Sequence, residues 1–81
     1  MTLPTIHPNG TPARMLAASA EAAYDALQTA YDLLRQTAPN PRDHELGAYE
    51  QAIDEHRQRL AKVQAVIEDM DTLVGHCERA K

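Results

Sequence analysis

The fold is decided by one stretch, residues 49–77, which reads YEQAIDEHRQRLAKVQAVIEDMDTLVGHC. Apolar residues recur in it at alternating intervals of four and three, and a single recurring position holds a histidine, His56. Because a helix turns once in about 3.6 residues, this spacing predicts a helix with one apolar seam of the coiled-coil kind. The seam positions are Tyr49, Ile53, His56, Leu60, Val63, Ile67, Met70, Val74 and Cys77.

The sequence before this stretch predicts a second helix with a thinner seam. Half of its recurring apolar positions are alanine, so a partner helix can approach closely. Thr11 suits the N-cap and Pro12 the first helical position. Pro39 disfavours helical geometry in the residue before it, so we expect this helix to end at Ala38. The predicted seam is Leu16, Ala20, Ala23, Leu27, Ala30 and Leu34, with Tyr24 and Tyr31 along one edge.

These patterns predict an all-α chain of one domain, residues 1–81. Residues 1–11 form an extended arm, residues 12–38 helix 1, residues 39–47 the connection, and residues 48–78 helix 2. A short connection between two long helices predicts an antiparallel hairpin. Residues 41–46 can form a short helical turn capped by Asn40, which leaves open whether helix 2 begins near Pro41 or at Ala48.

Two helices leave part of their apolar surface uncovered, and this surface predicts self-association. Val66 and Leu73 add a second apolar line beside the seam of helix 2, so the apolar surface is wider than helix 1 can cover. An exposed surface of this kind favours a homo-oligomer, most simply a dimer that forms a four-helix bundle. The predicted interface consists of Val63, Val66, Ile67, Met70, Leu73 and Val74.

Composition argues against several classes of function. A formal net charge of -4 disfavours general nucleic-acid binding. Cys77 is the single cysteine, so an internal disulfide is excluded. We therefore expect a location in the reducing cytoplasm. No apolar run is long enough to span a membrane, and residues 1–12 lack the features of a signal peptide. The scattered histidines fit no zinc signature and no catalytic motif stands out, so we expect a non-enzyme without metal or cofactor.

Two polar segments are candidates for binding a small anion. The first surrounds the start of helix 1, where the helix dipole and accessible backbone N–H groups favour an anion. The second lies in the connection, where an arginine can grip a phosphate and a histidine can stack or donate. The simpler interpretations are a helix cap with a rigid lead-in and a solvated turn with a local Arg–Asp pair. The candidate residues are His7, Asn9, Gly10, Thr11 and Arg14 in the first segment, and Arg42 and His44 in the second.

His56 interrupts an otherwise apolar seam. We expect a histidine at the edge of the core, hydrogen-bonded to Tyr24, Tyr31 or a carboxylate. The alternative is a polar residue that fixes the register of the helices, as a lone polar seam residue can.

Several short segments together resemble a group of known proteins. They are IHPNGT at residues 6–11, RD at 42–43, AYEQA at 48–52 and EHRQR at 55–59. The chain resembles small proteins carried by bacteriophages and prophages, which share the His-x-Asn-Gly-Thr arm, the Arg-Asp turn and Glu-His-Arg in the second helix. His44 and Glu45 stand where those proteins carry aromatic residues. The resemblance implies no assigned activity, but it implies a setting in which small helical oligomers counter host defences.

In that setting we expect a non-catalytic anti-defence protein in the host cytoplasm. It would act as a sponge that sequesters a cyclic nucleotide immune signal in pockets between subunits. The arm of one subunit would meet the connection of another, because the two segments lie at opposite ends of one hairpin. One alternative is an adaptor that binds a host or phage protein through the apolar face of helix 2. Another is an acidic inhibitor of a nucleic-acid-guided defence complex, with Glu21, Asp25 and Asp32 on one helix face.

Overall fold

A computed structural model of the chain describes residues 1–7 and 10–79. Within these ranges the chain is helical and contains no strand: helix α1 spans Ala13–Arg35, a 3₁₀ turn spans Pro41–Asp43, and helix α2 spans Ala48–Arg79. The two long helices pack along each other in a molecule that extends over 59 × 20 × 16 Å. The predicted all-α, two-helix hairpin is therefore confirmed for a single chain.

The predicted seam of α2 is the side that packs in the hairpin. Each of its nine positions is buried or half-buried, and His56, Ile67 and Cys77 are the deepest. The neighbouring Val66 remains 45 % exposed. The alternation of four and three between large apolar residues therefore predicted the buried side of α2 correctly.

The seam of α1 is rotated relative to the prediction. Ala30 is exposed although it was placed in the seam, whereas Tyr24 and Tyr31 are half-buried although they were placed at its edge. Tyrosine rings bury far more apolar area than alanine, so the helix turns its tyrosines toward α2. The observed seam keeps the alternation of four and three and consists of Ala13, Ala17, Ala20, Tyr24, Leu27, Tyr31 and Leu34.

The predicted helix 1, residues 12–38, was too long at both ends. Pro12 is itself the N-cap residue, and its carbonyl accepts from the N–H groups of Met15 and Leu16 at 3.0 and 3.1 Å. No side chain caps the helix, so the predicted capping role of Thr11 is wrong. After Arg35 the backbone bonds shift to the i→i+3 type. Such tightening is common at helix ends, and it fits the following proline, which disfavours helical geometry in the residue before it.

The connection contains a separate helical turn. The backbone N–H of Arg42 donates to the side-chain oxygen of Asn40 at 3.0 Å, which confirms the predicted cap. Gly47 has a φ of 91°, a left-handed conformation that favours glycine, and it separates this turn from α2. The start of α2, which the sequence left open, therefore lies at Ala48.

The arm packs against the far end of α2. Nε2 of His76 lies 2.7 Å from the carbonyl oxygen of Pro4, so this nitrogen carries a proton and donates. The contact joins the start of the chain to the end of α2, as an antiparallel hairpin requires. With 32 residues against 23, α2 extends past α1, yet Cys77 near its end is fully buried. The contact between Pro4 and His76 places the arm beside this end of α2.

Candidate functional site

The first candidate segment lies at the N-terminal end of α1. The N–H of Gly10 donates to the carbonyl of His7 at 3.1 Å, and the His7 ring lies over the glycine. A Cβ atom at position 10 would lie only 3.0 Å from His7 Cε1. Thr11 and Arg14 are exposed nearby, whereas Asn9 falls outside the described residues. The structure therefore brings His7 and Gly10 together beside the start of α1.

The electrostatics of this helix end favour an anion. The first turn of α1 contains no acidic residue, and no side chain caps its free N–H groups. Arg14 adds a positive charge within that turn. The partial positive charge of a helix N-terminus is therefore not neutralised by a carboxylate of the same turn.

The second candidate segment opens into a cavity of about 390 Å³. The His44 and Tyr49 rings lie 6.4 Å apart at 57° on its wall, and Nδ1 of His44 lies 3.2 Å from the Asn40 carbonyl oxygen. Since a carbonyl only accepts, Nδ1 is the donor, and Nε2 of the neutral ring is left as an acceptor. The cavity is lined by Pro41, His44, Glu45, Leu46, Gly47, Tyr49 and Glu50.

This lining suits a cationic group better than a phosphate. Glu45 and Glu50, which are acidic, are among the lining residues, whereas Arg42 is not. Carboxylates repel an anionic ligand at short range. The sequence analysis singled out the arginine and gave neither glutamate a binding role, although Glu45 lies in the connection and Glu50 in the first turn of α2.

The two candidate segments do not meet within one chain. The first lies at the start of α1 and the second at the turn before α2, at opposite ends of a molecule 59 Å long. A composite pocket made of both segments therefore requires a second chain, as the sequence analysis anticipated.

His56 is buried in the seam without the expected partner. The residue is 6 % exposed, and its Nδ1 atom forms no hydrogen bond within residues 1–7 and 10–79. The hydroxyl of Tyr24 instead accepts from Gln28 at 3.1 Å. The predicted hydrogen bond from His56 to a tyrosine or carboxylate is therefore wrong.

The predicted oligomer interface is mostly used inside the hairpin. Ile67 is 2 % exposed within a single chain, which leaves it no surface for a partner. The remaining predicted positions are half-buried, with the exception of Val66. Self-association of the chain stays a prediction. The exposed apolar surface that α2 could contribute to such an interface is a narrow strip.

A larger open surface lies on α1, and we call it the uncharged face. Met15 and Leu33 mark its two ends and are 53 % and 57 % exposed. They are five helical turns apart and therefore point the same way. All members are exposed in the single chain: Met15, Ala18, Ser19, Ala22, Ala26, Thr29, Ala30 and Leu33.

The charges of α1 avoid this face. At about 100° per residue they lie along one flank of the helix, between the seam and the uncharged face. They are Arg14, Glu21, Asp25, Asp32 and Arg35. Helix α1 thus has three sides: the seam against α2, a charged side, and the uncharged face. The sequence analysis missed this face because its predicted seam was rotated partly onto it.

The described part of the chain contains neither a cluster of metal-ligand side chains nor a helix that could span a membrane. Residues 1–7 and 10–79 contain no group of three or more His, Cys, Asp and Glu side chains placed to hold a metal ion. Within the same ranges, neither helix has a stretch apolar and long enough to cross a bilayer.

Comparison with known proteins does not assign the chain to a family. No protein-family model matches it, and no curated protein or solved structure is significantly similar to it.

Proposed function

We propose that this chain is a non-catalytic protein-binding module, an adaptor-type helical hairpin that uses the uncharged face of α1. The observation that supports this proposal is the exposure of Met15 and Leu33 at the two ends of a face without charge. Removing such side chains from water is favourable by roughly 25 cal/mol per Å² of apolar area. A protein surface is the partner that covers a helix face of this length.

The small residues in the middle of the face suit a partner that is itself helical. Ala22 and Ala26 lie at its centre, flanked by Ser19 and Thr29. Side chains of this size allow a second helix to pack near the short end of the usual 8–10 Å separation. A helix laid along an apolar helix face is a common mode of peptide recognition.

Site-specific photo-crosslinking tests this function. A photoreactive side chain replaces Ala26 on the uncharged face, and in a matched variant it replaces Asp25 on the charged side. After irradiation in the source cells, mass spectrometry of the crosslinked peptides identifies what each position touched. We expect adducts with a defined protein surface from position 26 and few from position 25. Equal labelling from both positions, or none, would remove the support for the proposal.

Sequestration of a small anion is a second candidate, favoured by the uncapped start of α1. The absence of an acidic residue in its first turn, together with Arg14, makes this end attractive to a phosphate group. The acidic cavity at the turn weakens this candidate. A composite pocket would bring Glu45 and Glu50 close to the anionic ligand.

Ligand depletion tests the second candidate. The pure protein is incubated with a panel of cyclic di- and trinucleotides, and each is quantified in the filtrate, with thermal stabilisation as support. Uptake that is lost in Arg14→Ala and kept in Arg35→Ala would support binding at the N-terminal end of α1. Uptake lost in Arg42→Ala instead would place the ligand at the turn, and no uptake would leave the protein-binding proposal alone.

A further inference from the structure

We infer that the cavity at the turn binds an organic cation, namely an alkyl chain that ends in a guanidinium or ammonium group. Such groups occur on the arginine and lysine side chains of proteins and on free polyamines. None of the residues that line the cavity belongs to the uncharged face of α1. The inference therefore goes beyond the proposed function and does not depend on it.

The cavity has the size and the fixed walls of a binding site. Its volume of about 390 Å³ lies within the range of small-ligand pockets, roughly 300–1,000 Å³. The Asn40 carbonyl accepts from the N–H of Asp43 at 3.0 Å and lies 3.2 Å from Nδ1 of His44. The Glu45 carbonyl accepts from the N–H of Tyr49 at 3.2 Å, which ties the connection to the start of α2. A ligand therefore enters a shape that already exists and has little chain to order.

Two aromatic rings belong to the lining of the cavity. The centroids of the His44 and Tyr49 rings are 6.4 Å apart, and the ring planes are inclined by 57°. The quadrupole of an aromatic ring attracts a cation to the face of the ring, and a guanidinium group also stacks there. Because Nδ1 of His44 donates to the Asn40 carbonyl, Nε2 of the neutral ring is left to accept from an N–H group of the ligand.

The charges around the cavity select a cation. Glu45 and Glu50 are both exposed, and none of the described residues that line the cavity is a lysine or an arginine. The start of α2 carries a partial positive charge that opposes a cation, but Glu50 lies in the first turn and offsets it. A carboxylate carries a full negative charge, whereas a helix end carries about half a positive one, so two acidic residues leave the lining net negative.

The apolar part of the lining fits a ligand with an alkyl stem. Leu46 is fully exposed to solvent, and it lines the cavity together with Pro41. The methylene groups of arginine, lysine and polyamines cover apolar surface of this kind while the charged end stays in a polar environment. A bare metal ion has no such stem. Within residues 1–7 and 10–79, no three or more His, Cys, Asp and Glu side chains are grouped to hold a metal ion, so the lining fits an organic cation better.

An NMR titration of the full chain tests the site. The probes are the Nα-acetyl amides of arginine and lysine, spermidine as a polyamine, and the acetyl amide of citrulline, which has the shape of arginine without its charge. Each probe is added at constant ionic strength while the backbone N–H signals of Gly47 and Tyr49 are followed. We expect saturable shifts with the cationic probes, with a dissociation constant on the order of 1 mM because exposed charge pairs contribute little. The cation that binds most tightly identifies the source, a protein side chain or a free polyamine.

Matched variants separate the cavity from general attraction to an acidic chain. Glu45→Gln and Glu50→Gln should each weaken binding of the arginine probe about threefold. Glu55→Gln removes the same charge from an exposed position further along α2 and should leave binding unchanged. The same spectra show whether each variant is folded. Equal weakening in all three variants, saturable binding of the citrulline amide, or no saturable shift with any cationic probe would overturn the inference.

Discussion

At position 56, an imidazole occupies the only polar place in the seam of α2. Its Nδ1 atom is buried and has no hydrogen-bond partner in the described part of the chain. Leaving such a group unsatisfied costs about 1–3 kcal/mol relative to its hydration in the unfolded chain. A residue that lowers stability in this way is consistent with a role in fixing register, because other alignments of the helices would place it against different neighbours.

Replacing His56 with leucine is expected to stabilise the fold. The His56→Leu variant removes the unsatisfied nitrogen and continues the apolar seam, so the free energy of unfolding should rise by about 1–3 kcal/mol. Urea unfolding at one fixed protein concentration measures the change. Gln51→Leu, at an exposed position of α2, serves as the control and should shift stability by less than about 0.5 kcal/mol. A less stable His56→Leu protein would mean that the imidazole makes a favourable interaction.

Two glycines should respond to alanine in opposite directions. Gly47→Ala forces a side chain into the left-handed region and should cost about 1–2 kcal/mol, although the space around it is open. Gly75 lies within α2, so Gly75→Ala should raise the free energy of unfolding by up to about 1 kcal/mol through the higher helix propensity of alanine. The new Cβ would meet only the mobile end of Arg79, at 3.2 Å. Thermal unfolding of both variants checks the signs, and a stabilised Gly47→Ala would contradict the observed backbone of the connection.

At the scale of elements, the arm completes the hairpin. Helix α2 is longer than α1, and the arm lies beside the excess through the hydrogen bond between His76 and Pro4. Pro4 and Ile6 are half-buried, and the thiol of Cys77 is fully covered. Among residues 1–7 the attachment consists of this hydrogen bond and two half-buried side chains, so we expect the arm to detach more readily than the helices separate.

Removal of the arm is therefore expected to expose Cys77. In the full chain the thiol should react slowly with a thiol-specific reagent, because reaction waits for local opening. A chain without residues 1–7 should react at least about tenfold faster. Circular dichroism must show unchanged helix content, and the denatured full chain gives the upper limit of the rate. Equal rates for the two folded proteins would show that the helices alone bury the thiol.

The sequence predicted the elements better than their contacts. The seam of α2 was predicted correctly because large apolar residues there repeat without interruption. The seam of α1 was not, because an alanine-rich helix offers two plausible buried sides and the choice between them depends on packing against Tyr24 and Tyr31. The place of the arm escaped prediction because a contact between Pro4 and His76 leaves no local pattern. Among the candidate site residues, the sequence placed His7 and Gly10 near the start of α1 but assigned no binding role to Glu45 and Glu50 beside the turn.

At the scale of the whole molecule, the charges are unevenly distributed around α1. One side packs on α2, one side carries all five charged residues of the helix, and the remaining side is the uncharged face. A lone hairpin would gain solubility from charges on that third side. Their absence, with exposed Met15 and Leu33 at the ends, is the reason for assigning binding to this surface.

Methionine oxidation measures whether the uncharged face is covered in solution. Met15 and Met1 are 53 % and 59 % exposed in the single chain, so dilute hydrogen peroxide should oxidise them at similar rates when the protein is dilute. In an extract of the source cells, where a partner is present, we predict that oxidation of Met15 slows relative to Met1, and that Ala26→Glu abolishes this protection. A ratio of the two rates that is the same in the extract as in the pure protein would contradict coverage of the face by a protein partner.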